Sequence, residues 1–289
     1  MEKLQLHYYL ENDSHSFNAF VRNKAELELL RLIIYISKEL KYDFEIEIEA
    51  LEEGGIKEFI KFLNKKRNKN LLIAVTYFGG IFTNILTNVV SDFISENDKL
   101  ENLQIEVLEM QKILLNKEIE KLNQVNTEVE KNDSLNKIIG YFLLDGKVKV
   151  LKSNFYEYLD MENKITQIST LELDAENKPV SEEKFVPKSK FKQFIVDEIE
   201  LEPKIIDDAE VEIISPVFKK GNDSWKGYFD SEPIDFKIGD VDFKQNVLNR
   251  KISFTTGTII LCRLEIKHVL DKKGEPKIKS RYAYDIKVK

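Results

Sequence analysis

The feature that most constrains the fold of this chain is a long uncharged run, which extends from Asn70 to Ser91. It stands out because 33% of the 289 residues are Asp, Glu, Lys or Arg. A helical run of about 20 residues is long enough to cross the hydrocarbon core of a membrane. A run of the same length can also form the buried face of a globular domain, so two interpretations stay open.

The charges that flank this run favour a membrane span, whereas the periodicity of its apolar residues favours a buried helix. Five cations and no acid lie in residues 61–70, and acidic residues follow the run, which is the asymmetry of a span with a cytoplasmic N-terminus. From Gly80 onward, however, apolar side chains recur on one helical face and Asn and Thr on the other. Asn84 and Asn88 would each need a hydrogen-bonding partner in lipid. We therefore favour a buried or self-associating helix over a membrane segment. The residues predicted to pack in either setting are Phe78, Gly80, Phe82, Ile85, Asn88 and Val89.

Composition is that of an ordinary globular protein. Hydrophobic residues make up 42% of the chain, and the net charge of −7 argues against a protein that is basic throughout and coats nucleic acid. Cys262 is the only cysteine, so no internal disulfide is possible and nothing calls for an oxidising compartment. No secretory signal is recognisable at the N-terminus. A cytoplasmic location is expected, with association with the inner face of the membrane left open.

Residues 1–66 are predicted to form a small α/β head. The segment 4–10 is rich in β-favouring residues, and a helical pattern follows over 17–40. The segment 43–51 alternates apolar and acidic residues, as a half-buried strand does. A second helix is predicted from Ile56 onward. Together these elements fit a layer of helices on a sheet.

Residues 67–135 are predicted to form an apolar helix followed by a long helical arm. No Gly or Pro interrupts the arm between residues 97 and 131, and its apolar residues follow a spacing close to a heptad. Such a seam is typical of a helix that pairs with another helix, in the same chain or in a second copy. The residues predicted to mediate oligomerisation are Leu100, Leu103, Val107, Leu108, Leu115, Leu122 and Val129.

The rest of the chain is predicted to be a mixed region and a barrel. Residues 136–205 form a mixed α/β linker region, in which Asp145-Gly146 suggests a hairpin turn. Residues 206–289 contain five strand-like segments with a helical segment between the third and the fourth. This order resembles a small OB-like or SH3-like β-barrel. The predicted fold class is therefore α+β: a small N-terminal α/β layer, a central apolar helix with a long coiled-coil-like helix, and a C-terminal barrel.

The barrel region also has a local excess of positive charge. From Lys244 to Lys289 there are twelve Lys or Arg residues against four Asp or Glu residues. Basic loops beside aromatic side chains hold single-stranded nucleic acid on OB-type barrels. The alternative, which we favour, is a purely structural role, in which lysines protect exposed strands from pairing with other chains and the aromatics fill the core. The residues predicted to bind nucleic acid are Lys272, Lys273, Lys277, Lys279, Arg281, Trp225 and Tyr282.

Signals for catalysis are weak. The three histidines lie far apart, no zinc-ligand spacing is present, and Cys262 is flanked by apolar residues, so no catalytic residue, metal ligand or cofactor is assigned. Asp235, Asp240 and Asp242, followed by Glu265-x-Lys267 on a later strand, resemble the pattern of metal-dependent PD-(D/E)xK nucleases. Glu-x-Lys is common in a chain this rich in both residues, so a nuclease is only a remote alternative.

The predicted function is that of a non-enzymatic oligomeric scaffold, sensor or adaptor, with a second copy or a partner protein held by the helical arm. Membrane association is left open. The alternative is a nucleic-acid-binding protein that acts through the basic barrel. In outline, the arrangement resembles accessory proteins of bacterial mobile elements and defence loci, which would imply an accessory role at such a locus, for example in phage defence.

Overall fold

The computed structural model describes residues 2–14, 16–42, 44–49, 56–64, 78–83, 113–121, 128–218, 224–255 and 257–289. Over these ranges the chain is a mixed α+β protein with two sheets. It divides into two compact units. The first unit contains residues 1–197 and 272–274, and the second contains residues 198–271 and 275–289.

The first unit is built on a five-stranded antiparallel sheet with the order β2-β3-β1-β4-β5. The strands predicted over 4–10 and 43–51 are confirmed as β1 and β2. β4 and β5 come from the range 136–205, so the sheet joins segments that are far apart in the sequence. The strands are β1 (Glu2–Leu10), β2 (Phe44–Glu49), β3 (Ile56–Asn64), β4 (Ile165–Leu173) and β5 (Lys184–Pro187).

The helix predicted from Ile56 is wrong, because this segment is strand β3. β3 pairs with β1 on one side and with β2 on the other, and Ile60 faces both Leu4 and Ile48 in the register. Ile60 is fully buried on one face of the sheet and Phe59 is 7% exposed on the other. A strand with apolar residues on both faces does not alternate cleanly, so its pattern is easily taken for a helical one.

The three long helices in the described part of the first unit are α1 (Ala19–Glu39), α2 (Glu128–Leu144) and α3 (Gly146–Asp160). The helix predicted over 17–40 is confirmed, and its N-terminus is capped by the Asn18 side chain, which accepts hydrogen bonds from the next backbone amides. The hairpin predicted at Asp145-Gly146 is wrong. Asp145 separates α2 from α3 and caps α3, since its carboxylate accepts a hydrogen bond from Val148 N at 2.9 Å. Asp is favoured in turns and at helix N-termini alike, so the dipeptide alone cannot tell them apart.

Residues 78–83 form a short helical segment and are the only described part of the uncharged run. Phe78, Ile81 and Phe82 are at most 2% exposed and belong to the hydrophobic core of the first unit. The Phe82 ring meets the Phe155 ring edge-on, with 4.4 Å between centroids. Residues 78–82 are therefore buried against protein, and Thr83 is half-buried. The predicted packing residues Ile85, Asn88 and Val89 lie outside the described residues. No helix within the described ranges is both long enough and apolar enough to span a membrane.

A second short helical segment, 113–121, belongs to the predicted arm. Leu115 is 7% exposed and lies in the core of its own unit, with Leu114 and Ile119 packed against that core. Val129 lies in α2, at a point where only the backbone is described. The other residues of the predicted seam lie outside the described ranges: Leu100, Leu103, Val107, Leu108 and Leu122.

The second unit is a closed five-stranded barrel, as predicted for the C-terminal region. Around the barrel the order is β10-β8-β7-β6-β9, in which β10 pairs with β8 in parallel and the other pairs are antiparallel. The helix predicted between the third and fourth strands is confirmed as α4 (Val241–Leu248). The strands are β6 (Glu200–Ser215), β7 (Trp225–Phe229), β8 (Glu232–Ile238), β9 (Ile259–Leu270) and β10 (Pro276–Val288).

Candidate nucleic-acid interface

The outer surface of the barrel over β8, β9 and β10 carries aromatic and basic side chains. Successive residues of a strand point to opposite faces, and the inward positions are marked by Leu264 and Ala283, both fully buried. Alternation from these two residues places the intervening side chains on the outside. The outward residues are Lys237 of β8, Arg263, Glu265 and Lys267 of β9, and Tyr282 and Tyr284 of β10.

The register brings these side chains together across three strands. Tyr282 lies opposite Glu265 of β9 on one side and opposite Lys237 of β8 on the other. Tyr284, two residues further along β10, lies opposite Arg263. The two tyrosines therefore stand in the middle of the surface, between neighbouring strands that both contribute cations.

Each tyrosine ring has at least one cation above it. The Nζ atoms of Lys237 and Lys267 lie 5.8 Å and 5.5 Å from the Tyr282 ring centroid. The guanidinium carbon of Arg263 lies 5.4 Å from the Tyr284 ring centroid. These distances are within the range of about 6 Å over which a cation is attracted to an aromatic face. We call Lys237, Arg263, Lys267, Tyr282 and Tyr284 the tyrosine–cation patch.

The two rings of the patch are nearly parallel. Their centroids are 6.3 Å apart and their planes differ by 26°. A Cβ atom at Gly239 would lie 2.2 Å from Cε1 of Tyr284, so only glycine leaves room for this ring. Gly239 N also donates a hydrogen bond to the Ala283 carbonyl at 2.9 Å, which ties the end of β8 to β10 between the two tyrosines.

Two acids partly offset the charge of the patch. Glu265 lies 3.4 Å from Lys267 Nζ, and Asp285 lies 3.5 Å from Arg263 Nε. All four side chains keep contact with solvent, and ion pairs of this kind are worth little and break easily. Lys237 makes no ion pair with any residue that the structure describes. The charge of Glu200 also acts on Lys267, so the three cations of the patch have three acids in their surroundings.

The prediction that Trp225 contacts nucleic acid is wrong. Its side chain is 2% exposed and its ring packs edge-on against Phe254, with 5.2 Å between centroids. Trp225 lies in the core of the barrel and offers no face to a base. The largest side chain of a small barrel is well suited to fill its interior, and this demand decides its position.

The predicted basic residues beyond the patch are dispersed and partly neutralised. Lys279 Nζ donates hydrogen bonds to Glu198 at 2.5 Å and to Glu200 at 2.7 Å, and these carboxylates raise the Lys279 pKa. Lys272 Nζ lies 3.6 Å from a carboxylate oxygen of Glu157. Lys272 and Lys273 both belong to the first unit and not to the barrel unit. Lys277 is exposed and Arg281 is half-buried.

Tyr282 is the only predicted residue that lies in the patch. Lys237, Arg263, Lys267 and Tyr284 were missed, although the segments RLEIK and YAY on successive strands carried the signal. In both segments, charged or aromatic residues alternate with apolar ones, which places the former outside a barrel. The pairing of these strands was needed to show that the two segments are neighbours.

A polar cluster on the first sheet resembles a catalytic arrangement but is closed to substrate. Ser169 Oγ donates to Glu183 Oε1 at 2.5 Å, and the Tyr9 hydroxyl donates to the same oxygen at 3.1 Å. His7 lies opposite Ser169 in the register, and burial lowers the pKa of His7. Ser169 is fully buried, however, so its hydroxyl cannot meet a substrate. We assign no catalytic role to these residues.

Metal and thiol chemistry find no support within the described ranges. No group of three or more His, Cys, Asp or Glu side chains is close enough there to hold a metal ion. Asp240, one acid of the nuclease-like pattern, accepts hydrogen bonds from the backbone amides of Phe243 and Ile286. Burial raises the pKa of Cys262 to about 11, which keeps its thiol protonated and a poor nucleophile.

Comparison with known proteins leaves the tyrosine–cation patch to be interpreted from its own geometry. No protein-family model matches the chain, and no curated protein and no solved structure matches it either.

Proposed function

We propose that the chain is a nucleic-acid-binding protein whose barrel contacts its ligand through the tyrosine–cation patch. The observation that carries this proposal is the set of three cations above two tyrosine rings on one side of the barrel. Phosphates are neutralised by Lys and Arg, and bases stack on aromatic rings, so a surface that combines the two matches both parts of a nucleotide.

The topology of the barrel supports the same ligand class, and we propose that the barrel is OB-like. Its third and fifth strands are parallel, and a helix lies between the third and the fourth. OB barrels bind oligonucleotides and oligosaccharides, mainly on their second and third strands and adjoining loops. The tyrosine–cation patch shares only Lys237 with that surface. The analogy therefore supports the kind of ligand, whereas the position of the site rests on the side chains.

The salt dependence of binding tests the proposal. The full chain is titrated against a fluorescently labelled oligonucleotide at increasing NaCl, and the affinity is followed by anisotropy. Three phosphate contacts predict a slope of log K against log salt of about −2 for a single strand. Replacing Lys237, Arg263 and Lys267 by Gln flattens this slope.

The matched control is Lys178→Gln, which removes one exposed cation from the first unit. It leaves the slope unchanged. Absence of binding at low salt, or the same effect from the control and the patch variants, would contradict the proposed interface.

The exposed side of α1 favours a second function, that of an oligomeric scaffold or adaptor. Phe20, Leu27 and Ile34 are 79%, 46% and 44% exposed and follow one another at intervals of seven residues. This is the spacing of helices that pair as a coiled coil. Leu27 lies midway between the other two, so the stripe can face itself in an antiparallel pair of α1 helices from two copies of the chain. The pairing of the arm over 97–131 stays a proposal on sequence grounds.

Light scattering tests this second proposal. The chain is expected to be a dimer, and Leu27→Glu is expected to give a monomer, because it places a charge at the centre of the stripe. Met161→Glu changes an exposed apolar residue outside α1 and is expected to leave the dimer intact. A monomeric wild-type chain at all concentrations would rule the pairing out.

A further inference from the structure

We infer that the tyrosine–cation patch takes single-stranded nucleic acid, with two consecutive, unstacked bases placed one on Tyr282 and one on Tyr284. This inference rests on the proposed function and adds the form of the ligand and its register. Base faces and phosphates are common to DNA and RNA, so the ligand class covers both.

The distance between the rings selects an extended strand. Tyr282 and Tyr284 are alternate residues of β10 on one face, and their centroids are 6.3 Å apart. Stacked neighbouring bases of a duplex are separated by about 3.4 Å along the helix axis, close to half of this distance. Two stacked bases therefore cannot each lie on a separate ring. A strand whose bases are unstacked and spread apart can place them in this way.

Base pairing also closes a duplex to this surface. Inside a duplex both faces of each base are covered by the neighbouring bases, so an aromatic ring finds a free base face only at an end. Proteins that read bases by stacking accordingly use single-stranded regions. The two rings of the patch therefore cannot stack on bases in the interior of a duplex.

The charge of the patch is too small to hold a duplex by phosphates alone. Lys267 forms an ion pair with Glu265, and Arg263 forms one with Asp285, so each acid offsets the charge of one cation. Glu265 also lies directly opposite Tyr282 in the register. Binding that depends on phosphates alone needs a larger excess of cations than this. Stacking must therefore supply much of the affinity, and only unpaired bases can stack.

The backbone that carries the two rings is anchored before a ligand arrives. Ala283 lies between the two tyrosines, is fully buried, and accepts hydrogen bonds from Gly239 N and Asp240 N. The backbone that sets the spacing of the two tyrosines is thus tied to the end of β8. A backbone that is already ordered loses little conformational freedom on binding, which improves affinity for a ligand of matching spacing.

The experiment compares three probes of equal length and label by anisotropy with the full chain: an oligothymidine strand, its duplex with oligoadenine, and an abasic strand with the same number of phosphates. We expect the thymidine strand to bind more tightly than the other two. Removal of one stacking ring should weaken its binding by roughly 5- to 150-fold. Tyr282→Leu and Tyr284→Leu should each cause this loss for the thymidine strand and leave binding of the abasic strand unchanged.

Two sets of controls separate stacking from folding. Tyr282→Phe and Tyr284→Phe keep the rings and should bind nearly as well as the wild-type chain. Tyr228→Leu removes an exposed tyrosine of β7, on the surface that OB-type barrels mainly use, and should have no effect. RNA versions of the probes should respond to the same variants.

The outcomes distinguish this inference from the proposed function. Equal affinity for strand and duplex, or no loss with the two Leu variants, overturns the inference and leaves nucleic-acid binding in place. A loss with Tyr228→Leu in place of the patch variants also overturns it, because the bases then lie on the other surface. Absence of binding to every probe at low salt overturns the proposed function and this inference together.

Discussion

Several buried polar atoms on the inner face of the first sheet lack a hydrogen-bond partner among the residues that the structure describes. Leu6 of β1 lies between Glu58 of β3 and Thr170 of β4, so these side chains share one face. An unpaired polar atom in a protein interior costs about 1–3 kcal/mol. The atoms concerned are the Tyr8 hydroxyl, Oε2 of Glu58, Oγ1 of Thr170 and Oε2 of Glu172.

Two buried tyrosines give a matched test of this cost. Tyr8 and Tyr156 are both fully buried, but among the described residues only the Tyr156 hydroxyl has a partner, the Phe82 carbonyl at 2.9 Å. Tyr156→Phe should lower the free energy of unfolding by about 1–3 kcal/mol, because it leaves that carbonyl without its donor. Tyr8→Phe should leave the free energy of unfolding unchanged or raise it. Urea unfolding measures both, and an equal loss for the two variants would show that the Tyr8 hydroxyl is paired.

Lys152 is a buried cation whose partner is a backbone carbonyl. Its Nζ donates to the Ile81 carbonyl at 2.7 Å and lies 4.4 Å from the Phe194 ring centroid. Together with Tyr156, one turn further along α3, it satisfies carbonyls at the end of the helical segment 78–83. Burial lowers the pKa of Lys152 to about 7.

This lowered pKa makes the stability of the chain depend on pH. Between about pH 7 and the ordinary lysine pKa of about 10.4, the unfolded chain binds more protons at this residue than the folded chain. The free energy of unfolding should therefore rise with pH over this window, by on the order of a few kcal/mol. The difference between the wild-type chain and Lys152→Met isolates the effect, with exposed Lys178→Met as the control. Parallel pH profiles for wild type and Lys152→Met would refute it.

At the residue scale, the sequence could predict which residue types matter but not which of them are paired. Tyr282 could be identified because aromatic and basic residues are close together along the chain. Lys279 could not be excluded, because Glu198 and Glu200, which neutralise it, lie about 80 residues away and meet it only through the barrel. The alternation of inward and outward residues along β7 could have excluded Trp225 from the predicted binding residues. Trp225 and the exposed Tyr228 lie on opposite faces of this strand.

Among the elements, those with a clear period were predicted, whereas β3, which has apolar residues on both faces, was predicted to be a helix. α1 has a long helical period and an Asn18 cap, and the barrel strands alternate, so both could be recognised. β3 lies between β1 and β2 in the sheet and has buried apolar residues on both faces. That position in the sheet depends on segments far away in the sequence, so its own residues could not reveal it.

Gly79 connects the uncharged run to the sheet through close packing. A Cβ atom at this position would lie 1.9 Å from Oε1 of Glu172. Glu172 is fully buried, and this oxygen lies 3.3 Å from Lys184 Nζ. A larger residue would displace this buried carboxylate oxygen and disturb its ion pair with Lys184.

Substitution of Gly79 tests this contact. Gly79→Ala should lower the free energy of unfolding by about 1–3 kcal/mol, the usual cost of overpacking. In a Glu172→Ala background the added methyl group has room, so the same substitution should cost less. Gly80→Ala approaches Ile139 and not Glu172, so it should be additive with Glu172→Ala. The double-mutant cycles are measured by urea unfolding, and additivity for Gly79→Ala as well would refute the contact.

For the whole molecule, the position of charge matters more than the net charge. The chain carries −7 overall, yet three cations meet on one side of the barrel. Composition could therefore exclude a uniformly basic protein but could not show a local basic surface. Only the strand order, which brings β8 and β9 to either side of β10, places these cations together.

Glu265 gives a test of this view. It is the acid closest to the middle of the patch, so Glu265→Gln should strengthen binding of a single strand by roughly 2- to 5-fold, as expected for removal of one exposed like charge. Glu212→Gln changes the net charge equally on the exposed side of β6 and should have little effect. Anisotropy measures both, and an equal gain would mean that only net charge matters.

The order of strands in the first sheet also bears on how the chain is made. Of the five strands of this sheet β1 is synthesised first, yet it lies at the centre, between β3 and β4. About 100 residues separate the end of β3 from the start of β4, which takes the ribosome about 5–20 s to translate. Throughout that interval one edge of β1 has no neighbour, and such an edge can pair with other nascent chains. Production of this protein should therefore depend on chaperones that bind the nascent chain until β4 emerges.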